Sequence, residues 1–414
     1  MTQHQHSHAP SGHAVAPAVV RGRQLLIGLV AVLMVVTALG LVLLRPDGGE
    51  ASEPLPQSGE RVRGTVTAAA AVSCEEPEAG PPGEDLGSGD GGCQRITVRI
   101  DEGSDEGASV EQVGGANATE RTGVGDRVVL IRSPGDVPLV ERYQLSDVQR
   151  GRSLAGLALL FAVAVVALGR WRGLLALAGL GVSLVVLVLW LVPALLDGRP
   201  PLLTATVGAS AVMLLVLLLG HGPSVRTATA VVGTAASLLL TLALATLFVE
   251  LASLSGLTSD EATFVQALFG DLDLRGLLLA GIVIGALGIL DDVTVTQVST
   301  VYELRAADPA MPVRALYRAG LRVGRDHVAS LVNTLLLAYA GASLPLLVVF
   351  TTSGEGLIGT LTNGPVAEEV VRTLVGSIGL VAAVPITTAL AAVMCPPAVP
   401  VVSGDAAAGS GTDL

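Results

Sequence analysis

The chain of 414 residues is 51% hydrophobic and 14% charged, with a mean hydropathy of +0.66, which excludes an ordinary soluble enzyme and describes an integral membrane protein. It contains no lysine, so all 24 of its basic residues are arginine, and its formal charge is −12. A net acidic chain lacks the basic footprint of a nucleic-acid binder, and no nucleic-acid partner is expected.

Residues 1–23 carry His4, His6, His8 and His13. The H-x-H-x-H spacing could hold a transition metal weakly, but no predicted element preorganises it, and the segment reads as a disordered cytoplasmic tail. The first apolar run, 24–44, follows Arg21 and Arg23. At about 20 residues it is longer than the apolar part of a signal peptide, and no A-x-A site follows Leu44, so it reads as an uncleaved anchor.

Residues 45–152 form the one sizeable segment between spans. Alternating or β-rich runs at 60–67, 94–100, 126–132 and 141–145, punctuated by Gly and Asp, predict a small antiparallel sheet or barrel outside the cytoplasm. The segment has no histidine, so it offers no Ser/His/Asp or Cys/His set. Cys74 and Cys93 bracket a Pro-, Gly- and acid-rich loop, and on the oxidising side of the membrane they are expected to form a disulfide. Closing that loop is worth about 3 kcal/mol in the chain-entropy picture. Glu75, Glu76, Glu78, Asp85 and Asp90 lack EF-hand spacing and read as a solvated acidic loop. Cys395 is left unpaired.

Seven further apolar runs follow at 154–169, 174–196, 202–219, 227–251, 277–298, 328–350 and 374–394. A bilayer core of about 30 Å takes about 20 helical residues. With the anchor these runs predict an all-α polytopic membrane helix bundle of about eight transmembrane helices. Its seven-span part occupies 153–395, a β-rich domain lies between the first two spans, and 396–414 is a disordered cytoplasmic tail. Arg21, Arg23, Arg170, Arg172, Arg226, Arg305, Arg314, Arg318, Arg322 and Arg325 fall on one side of this arrangement. The short loops opposite hold Asp197, Asp260, Glu261, Asp271 and Asp273 with Arg199, Arg275 and Arg372. The positive-inside bias then puts both termini in the cytoplasm.

The run 277–300 reads LLLAGIVIGALGILDDVTVTQVST, with Asp291 and Asp292 followed by Thr294, Thr296, Gln297, Ser299 and Thr300. A carboxylate near the bilayer centre costs about 2.5–3.5 kcal/mol on insertion scales, so the pair needs protein, water or an ion around it. At 100° per residue Asp292, Thr296, Ser299 and Glu303 share one stripe, Asp291 and Thr294 a neighbouring side, and Gln297 and Thr300 a third. The functional reading is a proton site, or a site for a hard cation such as Mg²⁺, Ca²⁺ or Mn²⁺ held by oxygen alone. The structural reading is that the aspartates bond helix ends or pair with an arginine. Asp292 heads the stripe and is the stronger candidate. Gly276, Gly281, Gly285 and Gly288 precede the pair at spacings that let a neighbouring helix come close.

Two later spans suggest broken helices. One holds Asn333, Thr334, Tyr339 and the run GASLP at 341–345, and the other Pro385 with Thr387 and Thr388. Proline removes a backbone donor, and freed carbonyls can coordinate ions, although a simple packing kink is as common. His221 and His327 show no metal-ligand pattern. Arg314, Arg318, Arg322 and Arg325 recur at i, i+4, i+8 and i+11, which suggests either a short helix on anionic headgroups or a topogenic cluster. Thr258, Ser259, Asp260 and Glu261 read as a helix start.

Three stretches carry a family resemblance: LRGLLLAGIVIGALGILDDVTVTQVSTVYELR at 274–305, NTLLLAYAGASLPLL at 333–347 and EEVVRTLVGSIGLVAAVPITTALAA at 368–392. With them the chain resembles the YibE/F family of multispan bacterial membrane proteins, from the β-rich segment to the last span. The resemblance implies a bacterial plasma-membrane location and carries no established activity. Function rests on the residues. The first expectation is a transporter or channel component that uses the aspartate pair, and the second is a sensor or scaffold whose outer β-domain binds a partner. An intramembrane aspartyl enzyme is not expected, because adjacent residues on one helix point about 100° apart and cannot converge on one bond. No cofactor is expected, while a homo-oligomer is compatible with the sequence.

Overall fold

The computed structural model describes residues 17–47, 59–72, 93–114, 122–135, 137–270, 272–352, 354 and 356–395. The histidine tail, Cys74 with the acidic loop, and the C-terminal tail lie outside the described residues, so the disulfide and tail expectations fall there. Contacts divide the chain into two compact units, Met1–Ala51 with Trp171–Leu414, and Ser52–Arg170. The first helix, α1 (Pro17–Leu43), belongs to the former.

The second unit is built on five antiparallel strands, β1 (Glu60–Val72), β2 (Cys93–Ile100), β3 (Ser109–Gly114), β4 (Arg127–Arg132) and β5 (Tyr143–Val148), in the order β3-β2-β1-β4-β5. A single helical turn, α2 (Leu139–Arg142), precedes β5. Period-two alternation sends Val62, Val66, Ile96, Val98, Ile100, Val128 and Leu130 into a core closed by Val110 and Tyr143. The opposite face of the central strands carries Arg61, Arg63, Arg95, Arg99 and Arg127, all exposed. Register shifts at Val66/Ala68 and at Val129/Leu130 bend the ladder. The sheet curls until its edges meet, where Gln112 Nε2 donates to the Tyr143 carbonyl at 2.7 Å. The antiparallel sheet is as expected, but β3 is an additional strand. Its sequence, SVEQVG, is short and polar, and it pairs on one side alone. The unit ends in α3 (Gly151–Gly169), which has no buried residue.

The helical unit continues with α4 (Trp171–Val186), a π turn at Leu187–Leu191 and α5 (Val192–Leu196). Pro193 supplies no N–H to the regular ladder, and the π turn absorbs the defect. Then come α6 (Pro201–His221), α7 (Val225–Leu251), α8 (Asp260–Leu268), α9 (Leu274–Ala307), α10 (Val313–Ala342), α11 (Leu344–Thr352), α12 (Leu357–Thr362) and α13 (Gly364–Met394). Ser259 caps α8 by accepting from the Ala262 amide at 3.1 Å, as its sequence suggests. Asp273 does the same for α9 through the Gly276 amide at 2.9 Å.

Among the described residues seven helices are long and apolar enough to cross a membrane: Val20–Leu43, Gly151–Gly169, Trp171–Leu196, Pro201–His221, Val225–Leu251, Leu274–Ala307 and Gly364–Met394. The expected span at 328–350 is not one such helix. Its first part is the continuation of the arginine-bearing α10, and the chain breaks at Ser343 before Pro345 opens α11. The short separate arginine helix is corrected by the same observation, since Arg314, Arg318, Arg322 and Arg325 stand on the opening turns of the 30-residue α10. Pro385, by contrast, leaves α13 continuous.

The two ends of the helical unit differ in charge pattern. At one end Asp47 is joined to Arg199 at 2.6 Å, and Glu250 pairs with Arg275. At the other, Arg226 stacks over Tyr302 at 4.5 Å and Arg23 reaches the Met394 carbonyl. Arg305 is buried there and donates to the Met311 carbonyl at 2.5 Å.

Candidate functional site

Helix α9 is the centre of the helical unit, packed against α6, α7, α10 and α13. Its buried and exposed residues recur with helical period. Leu287, Thr294 and Val298, at i−4, i+3 and i+7 from Asp291, are buried. Gly288, Thr296 and Ser299, at i−4, i+4 and i+7 from Asp292, are exposed, as are Asp292 itself and Glu303. The two carboxylates therefore straddle the border between the packed side of α9 and its open side. Asp291 is half-buried, and its Oδ1 is covered without a hydrogen-bond partner among the described residues. The sequence singles out Asp292 as heading the polar stripe, and the structure places that stripe on the outside of the chain.

A layer of hydroxyls and one amide lies next along the packed side. Thr234 of α7 and Thr294 share a hydroxyl contact at 2.6 Å. Thr294 also donates to the Asp291 carbonyl at 3.1 Å. Gln297, buried, donates through Nε2 to the Gly320 carbonyl at 2.8 Å and to Thr388 Oγ1 at 2.7 Å. Thr388 in turn donates its hydroxyl to the Val384 carbonyl at 2.6 Å. Thr387 is fully buried and its Oγ1 has no partner among the described residues. Four helices, α7, α9, α10 and α13, thus meet on polar groups where an apolar contact would be the simpler solution. In a membrane such bonds are each worth about 0.6–2 kcal/mol.

Close approach is what makes the layer possible. Gly320 and Gly324 bring the α10 backbone onto Gln297, and a Cβ on Gly324 would lie 2.5 Å from Val384 Cγ1 and 2.8 Å from Gln297 Oε1. On the α7 side a Cβ on Gly379 would overlap Thr241 Oγ1.

Of the residues singled out in the sequence, Asp291, Thr294 and Gln297 belong to this packed polar side. Asp292, Thr296 and Ser299 are exposed beside it, and Asn333 and Thr334 are exposed on α10, where Thr334 merely bonds the Ser330 carbonyl. The α7 contribution was missed. Thr227, Thr234, Ser237 and Thr241, all buried, recur at spacings of seven, three and four, and that periodicity in an apolar span is the signal that would have found them. No three His, Cys, Asp or Glu side chains come together as a metal centre among the described residues.

A helical bundle with a polar layer inside it, joined in one chain to a curled sheet, defines a multi-pass membrane protein with an intramembrane polar site. The chain belongs to the YibE/F-like protein family, whose model matches residues 157–397, more than half of its length. No curated protein and no solved structure matches the chain.

Proposed function

We propose that the protein is a transporter or channel component in which Asp291 and Asp292 bind and pass a proton or a small hard cation. One observation carries this reading: a carboxylate oxygen of the half-buried Asp291 is covered without a partner among the described residues, beside a second carboxylate that is open. A purely structural aspartate would have its oxygens bonded, because an unpaired buried carboxylate is among the most costly groups a fold can hold. Asp291 then serves as the inner station and Asp292 as the outer one. Thr294, Thr234 and Gln297 hold the α9 backbone against its neighbours, so the two stations keep their relative placement.

The test is proton and cation flux in liposomes containing the full chain. Asp291→Asn is expected to abolish flux while leaving the melting temperature in detergent unchanged or raised, since a buried charge is removed. Wild-type flux in a folded Asp291→Asn protein would remove the assignment. A fall in melting temperature, with no effect on residual flux per folded molecule, would return the aspartate to a structural role.

The topology proposed with this reading counts α10 as an eighth crossing, because it runs along α9 from Gln297 at Gly324 to Gly285 at Tyr339, and so has both termini in the cytoplasm of a bacterial cell. A single cysteine at Ala306 is then expected to be shielded from an impermeant thiol reagent in intact cells, and one at Ser259 to be labelled. Reversed labelling would overturn it.

A sensing or scaffolding role also has one observation in its favour. Although the chain is acidic as a whole, Arg63, Arg99 and Arg127 line a cleft of about 410 Å³ on the outer face of the sheet, shared with Asp101 and Glu102. Arg63 is paired there with Glu102 and Arg99 with Asp101, which leaves Arg61, Arg95 and Arg127, exposed on the same face and without an ion pair among the described residues, to meet an acidic partner.

A further inference from the structure

Helices α10 and α13 pack antiparallel, since Gly320 sits against Thr388 and Gly324 against Val384. Beyond Gly320, toward the start of α10 and the end of α13, a groove of about 410 Å³ lies between them. Val313, Ala389, Ala392 and Val393 give it an apolar lining, and Arg314 and Arg318 a charged one, with Tyr317 beside them. Ala389 and Ala392, three residues apart on one side of α13, leave space that larger residues would fill. Arg314 and Arg318 are exposed, and neither has an ion-pair partner among the described residues. Among those residues no carboxylate lines the groove.

The groove lies where a bilayer changes character. Helix α13 is long and apolar enough to cross a membrane and ends at Met394, so Ala389, Ala392 and Val393 stand on its last turns, where hydrocarbon gives way to headgroups. Ala389 and Val393 are exposed there, and an exposed apolar position at that depth meets acyl chains. The guanidinium groups at the same level meet headgroups, and a tyrosine suits the boundary between the two. One lipid molecule carries both kinds of contact.

We infer that this groove binds one anionic phospholipid, its phosphate held by Arg314 and Arg318 and an acyl chain laid along Ala389 and Val393. The spacing i, i+4 sets the two arginines one turn apart on one side of α10, about 6 Å along its axis, so both reach the free oxygens of a single phosphodiester. Guanidinium groups pair with such oxygens through charge-assisted hydrogen bonds. A zwitterionic headgroup brings its own ammonium, which the arginines repel and no lining carboxylate receives. An anionic lipid is therefore preferred. The inference is independent of whether Asp291 and Asp292 carry an ion.

The test uses the full chain in detergent, titrated with dioleoylphosphatidylglycerol or dioleoylphosphatidylcholine, with bound lipid counted by native mass spectrometry. One tightly held phosphatidylglycerol per chain is expected, at least fivefold preferred over phosphatidylcholine. Arg314→Gln with Arg318→Gln is expected to remove that preference. Arg21→Gln with Arg172→Gln, the same loss of charge at exposed positions outside the groove, is expected to keep it. Ala389→Leu fills the groove without changing charge and is expected to weaken phosphatidylglycerol binding at least fivefold. All five positions are exposed, so folding does not depend on them. Equal losses in the two arginine pairs would overturn the inference, since any positive surface would then serve. Unchanged binding by Ala389→Leu would overturn it too, because no acyl chain would lie in the groove. Displacement of the lipid by glycerol phosphate at equal affinity would also overturn it, by making this a site for free phosphate.

Discussion

Tyr143→Ala is expected to cost the sheet about 3–5 kcal/mol, the usual range for truncating a fully buried aromatic side chain. Tyr143 is 0% exposed, fills the core at the start of β5, and donates through its hydroxyl to Asp105 Oδ2 at 2.8 Å. Its carbonyl also receives the Gln112 amide that joins the two sheet edges, so losing the ring loosens the place where the curl closes. Hydrogen exchange on the full-length protein should show protection of β3 and β5 collapsing first, with β1 and β2 following. Protection equal to wild type in β5 would contradict the packing.

Tyr143→Phe separates the hydroxyl from the ring, and its effect depends on pH. The Tyr143 hydroxyl, with Arg142 and Arg132 nearby, holds the Asp105 carboxyl below its ordinary value. A carboxylate depressed in the folded state stabilises above its unfolded pKa, and that contribution disappears as pH falls through the folded value. The wild-type sheet should therefore lose stability on acidification below about pH 4, the unperturbed aspartate range. Tyr143→Phe should be weaker at neutral pH and flatter across the same interval.

Gly324→Leu is the second large effect. The added side chain has no space between Val384 and Gln297, and overpacking of this kind costs about 1–3 kcal/mol, rising where backbones must part. Moving α10 away also breaks the Gln297 bond to the Gly320 carbonyl, which strands a buried amide. A marked drop in the detergent melting temperature is expected for Gly324→Leu and a smaller one for Gly324→Ala. Arg314→Ala, on the exposed side of the same helix, should leave the midpoint near wild type. Equal midpoints for Gly324→Leu and Arg314→Ala would mean that α10 does not rest on α9 and α13.

Much of the helical unit was legible in the sequence because the signal is long and nearly context-free. Some 20 apolar residues in a row satisfy their own backbone bonds as a helix and have few alternatives in a bilayer. The expected spans 24–44, 202–219, 227–251 and 277–298 accordingly fall within or overlap α1, α6, α7 and α9. The alternating strands of the sheet were legible for a similar reason, since Val62, Val66, Ile96, Val98 and Ile100 repeat with period two. What failed was local. β3 is too short and polar to announce itself, and in the run 328–350, where GASLP at 341–345 does mark the break seen at Ser343, the apolar residues do not reveal that the helix has already begun at Val313.

The sequence by itself determined that this is a multispan chain of the YibE/F-like family, with two adjacent carboxylates inside an apolar helix. Their 100° separation also followed from the sequence, because helix geometry requires nothing more. Only the tertiary structure decided which carboxylate turns inward. Burial of a side chain depends on which helices pack on which face, and it was α6, α7, α10 and α13 that covered the Asp291 flank of α9 and left the Asp292 flank open. The same is true of the polar layer. Thr234 and Thr388 lie 60 and 91 residues from their partners on α9, and at that separation a threonine in an apolar span shows no sign of what it will meet.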